Sequence, residues 1–242
     1  MKKLAVVALA AVASSAWAVP GSLTVGSSQY KGDIVWKASS SSYAVTDPKT
    51  KATKEYPLDQ VAGLNIPAPN KFDNYVASGD VKELERIVKE YRMLDWDKKA
   101  ARALVRAYLK SGKAEKAYET AQNIMKDDKT AAFKGDLAPA YWEALDALGR
   151  DKQLENCLRK AVSDGDRTSS AAALVMRGNL LAKSDARKAL VDAYLRVALL
   201  YTERECLQPR LEALDKCVEC FNKLNMNKRA DDMRSLKQQL TM

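Results

Sequence analysis

Residues 101–124 read ARALVRAYLKSGKAEKAYETAQNI. Ala101, Leu104 and Tyr108 fall three and four residues apart, Gly112 interrupts them, and Ala117, Ala121 and Ile124 resume the same spacing. That is the period of one helix, a tight turn and a second helix. The punctuation recurs as Ser78-Gly79-Asp80, Ser111-Gly112-Lys113, Leu148-Gly149-Arg150 and Lys183-Ser184-Asp185, at intervals of 33, 37 and 35 residues. Self-similarity at a period of about 34 residues marks an array of helical hairpins. One hairpin cannot cover its own apolar face, so neighbouring units must stack.

In Ala101-x-x-Leu104-x-x-x-Tyr108-x-x-x-Gly112-x-x-x-x-Ala117-x-x-x-Ala121-x-x-Ile124 the alternation of small and large residues resembles the tetratricopeptide repeat family. Trp142-x-x-Leu145-x-x-x-Gly149-x-x-x-x-Leu154-x-x-x-Leu158-x-x-Ala161 fits the same frame, with Leu154 in place of the usual small residue. A third unit runs through Gly178, Leu181, Ala189 and Leu195 and is one residue short at its turn. Leu214, Phe221, Ala230 and Leu236 mark a fourth with a longer first helix, and Phe72 to Tyr91 an incomplete leading unit. The resemblance spans residues 72–242 and implies a mainly α chain, a right-handed superhelix of about four to five units. Local signals agree. Asp80 with Glu83 makes a capping box, Asp97 can cap the helix after it, Gly112 and Gly149 suit left-handed helix ends, and Pro139 suits a first turn.

Upstream the period falls to two, in Leu23-Thr24-Val25, Asp33-Ile34-Val35-Trp36, Tyr43-Ala44-Val45-Thr46 and Val61-Ala62-Gly63-Leu64. Gly26-Ser27-Ser28, Ser39 to Ser42 and Asp47-Pro48-Lys49 supply the turns. Residues 19–66 therefore read as a small antiparallel β module of four or five strands, and Trp36, Tyr43 and Leu64 as its core or its docking face. The strand order, with Gly32-Asp33-Ile34 after the first turn, resembles an SH3-like or Sm-like barrel. The two prolines of Ile66-Pro67-Ala68-Pro69-Asn70 break both helix and strand, so residues 67–71 read as the linker to the helical region.

Residues 1–18 are an address. Lys2 and Lys3 precede the apolar run Leu4 to Val12, and Ala16-Trp17-Ala18 is a small-x-small cleavage pattern, which predicts export with the cut after Ala18, to the periplasm or beyond. No Cys follows to take a lipid, and no later segment has the apolar length of a membrane span.

Histidine is absent, which excludes imidazole base catalysis, His-activated nucleophiles and His-ligated metals. Forty Lys and Arg against 31 Asp and Glu give a net charge of +9, and removal of Lys2 and Lys3 lowers it to +7. A basic chain favours an acidic partner or surface. Lys98, Arg102, Arg106 and Lys110 recur every fourth residue and so stack along one helix face, where they repel one another unless something compensates them. The tetratricopeptide resemblance implies that Arg102, Arg106 and Lys110 face a concave groove, with Asn179 and Lys183 matching in the third unit and Glu143 departing from the pattern in the second. It further implies an extended acidic peptide or a free carboxylate as the occupant. The plain alternative is a solvated face.

Cys157, Cys206, Cys217 and Cys220 form an even set, but Cys217 and Cys220 share a helix at a strained spacing, and small buried filler is the simpler role for both. Trp96, Trp142, Tyr108, Tyr141 and Phe221 sit at core spacing. The sequence thus predicts an exported, non-enzymatic adaptor or scaffold that needs no cofactor or metal and binds a protein or peptide of acidic character. The rival is an anionic envelope polymer or a nucleic acid on the same basic surface.

Overall fold

The computed structural model describes residues 18–242, so the predicted signal peptide, Ala18 excepted, lies outside the described residues. The chain is mainly helical with an N-terminal five-stranded antiparallel sheet. It divides into two compact units. The first closes on Asn74 and takes in Glu85–Asp97; the second comprises Tyr75–Leu84 and Lys98–Met242.

In the first unit, strands β1 (Val19–Val25), β2 (Ser28–Lys37), β3 (Ser42–Thr46), β4 (Thr53–Pro57) and β5 (Val61–Asn65) follow the order β4-β3-β2-β1-β5. A 3-10 turn, Leu58–Gln60, separates β4 from β5. β2 is long because it serves two neighbours: Ser28–Ile34 pair with β1, and Asp33–Lys37 pair with β3. Gly32 lies at the change of partner, where a Cβ would meet the Thr46 carbonyl oxygen at 2.3 Å. Period-two alternation puts Leu23, Ile34, Tyr43 and Val45 inside, all buried, with Trp36 and Leu64 packed on them and partly exposed. Four of the five strands overlie runs visible in the sequence; β4 does not, being an exposed edge of Thr, Lys and Glu.

A sheet this small leaves part of its core uncovered, and the cover comes from residues 85–97. Leu94 is 1% exposed within the sheet's own core, the Tyr43 hydroxyl donates to the Met93 carbonyl at 2.9 Å, and Trp96 Nε1 donates to the Ile66 carbonyl at 2.9 Å. Asp97 is part of this arrangement too. It lies inside the helix it was expected to cap, and its buried carboxylate accepts from Met93 N–H at 2.8 Å. The predicted linker at residues 67–71 is therefore not where the first unit ends. Cutting between Pro67 and Asn70 should leave two pieces on a denaturing gel that still elute as one species by gel filtration.

The helices run α1 (Phe72–Ser78), α2 (Val81–Glu90), α3 (Trp96–Lys110), α4 (Ala114–Met125), α5 (Ala138–Ala147), α6 (Asp151–Asp164) and α7 (Arg167–Leu181). α8 starts at Ala186–Ala189, passes through a π-helical turn at Leu190–Tyr194 and ends with Leu195–Leu200; α9 is Leu207–Lys223 and α10 is Asn227–Thr241. They form consecutive pairs, and four of the five turns are the same object. Gly79, Gly112, Gly149 and Asn225 are left-handed, with φ of +66°, +71°, +63° and +57°. The residue after each bonds back five positions: Asp80 N to Tyr75 O, Lys113 N to Tyr108 O, Arg150 N to Leu145 O and Met226 N to Phe221 O, at 2.9 to 3.0 Å. This Schellman closure satisfies carbonyls that the helix end would orphan. The α7–α8 turn differs, for no residue in it is left-handed and the Asp185 carboxylate caps α8 through Lys188 N–H at 2.9 Å.

In the second unit α5 packs against α4, α6 and α7, and α9 against α7, α8 and α10. Leu174, Tyr194, Val197, Leu214, Cys217 and Phe221 share the core of the last two pairs. The Tyr194 ring lies so close to Gly178 that a Cβ there would be 2.3 Å from it. At Gly112, by contrast, nothing lies within 4 Å and only the backbone sign matters. Gly112→Ala should cost about 1–2 kcal/mol and Gly112→Asn less, whereas Gly178→Ala should cost more than either because the ring must move. Urea denaturation of the three variants checks that order.

Candidate binding groove

Three of the four cations in the α3 stripe are compensated within the protein. Lys98 pairs with Asp128, which caps the 3-10 turn Lys129–Ala132 between α4 and α5. Arg102 lies 3.7 Å from Asp136 on the same connection, and Arg106 grips Glu143 of α5 with two donors, at 2.8 and 3.4 Å. Lys110 is exposed and has no carboxylate within 4 Å among the described residues. Lys183, at the turn after α7, reaches Asp146 of α5 at 3.0 Å, so α5 carries acids toward both neighbouring first helices. Asn179 is occupied as well: its Oδ1 accepts from the Tyr194 hydroxyl at 2.7 Å.

Of the seven residues singled out in the sequence, Arg102 and Arg106 share a cavity. It is an open groove of about 870 Å³. Arg102 and Arg106 form one wall, Gly135, Asp136 and Pro139 the entry to α5, and Asp166, Thr168, Ser169 and Ala172 the start of α7. Gln208, Pro209, Leu211, Glu212 and Asp215 of α9 complete it with Lys237 of α10. Lys183 lines a different hollow, of about 440 Å³, with Leu154, Leu158 and Leu181. The α9 and α10 wall was not found from sequence, because no repeat frame links α3 to a helix a hundred residues later. Asp166, three residues before Ser169, was the one readable signal there, a helix cap.

That cap is built for polarity. Asp166 accepts from Ser169 N–H at 2.7 Å and from the Ser169 hydroxyl at 3.0 Å, while Gly135 N–H donates to Ser169 Oγ at 2.9 Å. Burial opposes ionisation of Asp166, yet these donors hold its carboxyl below the ordinary value. Asp128 follows the same balance: burial raises it, and Lys98 and Thr130 bring it below normal. The groove presents three cations, Arg102, Arg106 and Lys237, against four carboxylates, Asp136, Asp166, Glu212 and Asp215. It is a mixed-charge surface and not the basic one expected.

All four cysteines are free thiols, three of them buried. Burial pushes Cys217 up to about 12 and raises Cys157, Cys206 and Cys220, so none is a thiolate at neutral pH. Among the described residues no group of three or more Cys, Asp or Glu gathers as a metal site. Comparison with protein-family models, curated proteins and solved structures finds no match for this chain.

A self-repelling stripe would gain stability on charge reversal, whereas these ion pairs dictate the opposite. Arg102→Glu with Arg106→Glu should lose about 1–2 kcal/mol, each exposed pair contributing roughly 0.2–1 kcal/mol and each reversal adding repulsion from Asp136 or Glu143. Chemical denaturation of the double variant measures it.

Proposed function

We propose that this protein is an exported, non-enzymatic adaptor whose helical unit holds an extended polypeptide segment in the groove between α3 and α10. The observation that carries this reading is the groove itself, assembled from helices of several successive pairs and lined by polar groups that no single helix could present. Such sites suit a ligand that lies across the repeats. Resemblance to tetratricopeptide arrays supports it, as do the helix pairs and the identical closures at Gly79, Gly112 and Gly149. The basic n-region and apolar run before Ala16-Trp17-Ala18 support export.

The mixed lining shapes the partner. A peptide of alternating charge can match three cations and four carboxylates, whereas a polyanion such as a glycan or a nucleic acid would meet four like charges. Ala172 offers a clean test, because it lines the groove from α7 and is only partly buried. A benzoylphenylalanine crosslinker at Gln208 should capture the partner in cells. Ala172→Trp, which fills the groove, should retain the wild-type melt and lower affinity for that captured segment at least about tenfold, the equivalent of about 1.4 kcal/mol. Unchanged affinity in Ala172→Trp would place the binding surface elsewhere.

A further inference from the structure

α4, α6, α8 and α10 each close a helix pair, and on three of them the solvent side is polar throughout. α4 exposes Glu115, Lys116, Glu119 and Asn123; α6 exposes three cations and three carboxylates beside Asn156 and Ser163; every exposed residue of α10 is polar. α8 breaks the pattern. Val191, Leu199 and Leu200 are 56%, 50% and 63% exposed, which makes half of the six large apolar side chains exposed among the described residues. Leu195 lies midway between Val191 and Leu199 and is partly exposed. Around them stand Arg187, Lys188 and Arg196, all exposed, against two carboxylates, Asp192 and the capping Asp185.

The other three helices show what this position needs for folding: polar side chains. The apolar ridge on α8 therefore has no structural reward of its own, and exposed apolar surface of this kind marks a contact. A second copy of the chain is a poor fit. An isologous contact would set the cations of both faces against each other, and three side chains fall far short of the roughly 800 Å² per partner that stable interfaces bury. An amphipathic partner helix would seek a groove, but Val191, Leu199 and Leu200 line neither of the two hollows described. They stand on the exposed side of α8, with Arg187 one turn before Val191 and with Lys188 and Arg196 in the neighbouring row that ends at Leu200. An apolar ridge bordered by cations is the pattern of an interfacial helix, whose apolar residues enter the headgroup boundary while Lys and Arg meet anionic lipid.

We propose that the outward face of α8 is a peripheral contact for an anionic lipid surface, made by Val191, Leu195, Leu199 and Leu200 with Arg187, Lys188 and Arg196 at their sides. It is independent of the groove, since the two share no residue.

The test is vesicle co-sedimentation of residues 19–242, which hold every strand and helix described and leave out the apolar leader that would itself bind lipid. The wild type should bind vesicles of equal parts phosphatidylglycerol and phosphatidylcholine at least about tenfold more tightly than phosphatidylcholine alone. Leu199→Glu with Leu200→Glu should reduce that binding at least about tenfold with an unchanged circular dichroism spectrum. Arg187→Gln, Lys188→Gln and Arg196→Gln together should weaken it and flatten its salt dependence. Lys152→Gln with Arg159→Gln, on the polar face of α6, should change nothing. The proposal fails if the wild type does not bind the anionic vesicles, or if the Leu199 and Leu200 variant binds as well as the wild type. It also fails if light scattering shows a dimer which that variant dissociates, for the face then belongs to a second copy.

Discussion

A left-handed residue at the end of a helix is a small constraint with a long reach. At Gly79, Gly112, Gly149 and Asn225 the positive φ reverses the chain within three residues, and the bond back to the fifth preceding carbonyl fixes the angle at which the next helix leaves. Helices of ten to fifteen residues are marginal alone in water. They persist here because each reversal presses one apolar stripe against another. Tyr141, Trp142 and Leu145 of α5 and Leu154 and Leu158 of α6 are all at most 1% exposed. The groove is a product of those reversals, since its walls are helices that would diverge if the turns were looser.

Electrostatics then bind pair to pair. Lys98, Arg102 and Arg106 each face a carboxylate from the next pair or its connection, and Lys183 reaches back to Asp146 of the preceding pair. Each exposed pair is worth little alone. As a series they favour one register between neighbours, because sliding α5 along α3 by a turn would strand several charges at once. The interval of 37 residues between Gly112 and Gly149, the longest of the three, allows for this: the connection between α4 and α5 supplies Asp128 and Asp136.

What the sequence disclosed divides along the range of the interactions. Turns at Gly112 and Gly149, the cap at Asp80, Pro139 in its first turn and the alternation of β1, β2, β3 and β5 are local, and all were legible. Asn225 carries no such signal, because asparagine tolerates positive φ but is common in other conformations too. β4 escaped because Tyr56 is its one residue packed on the core, too little to show a period beside exposed Lys54 and Glu55. The partners of the α3 stripe escaped for a different reason: Asp128 lies 30 residues from Lys98 and Glu143 lies 37 from Arg106. Periodicity reports which face a residue occupies and is silent about what stands opposite. The same silence hid Leu94 and Trp96 beneath the sheet.

The interleaving of the two units along the chain bears on how this protein could be inherited or rebuilt. Domains that are contiguous in sequence can be shuffled as cassettes, with a single junction at each end. Here a recombination that carried off residues 19–66 would leave behind Tyr91, Met93, Leu94 and Trp96, the underside of the sheet's core. A crossover after Asp97 would keep the sheet whole but remove Tyr75–Leu84 from the helical unit. On the ribosome the order matters as well. The strands emerge early, yet the sheet is complete only when the ninety-seventh residue has followed, so its closure waits on a long loop and on helix that serves both units. No single junction therefore separates the two units, because each takes residues from both sides of a segment of the other.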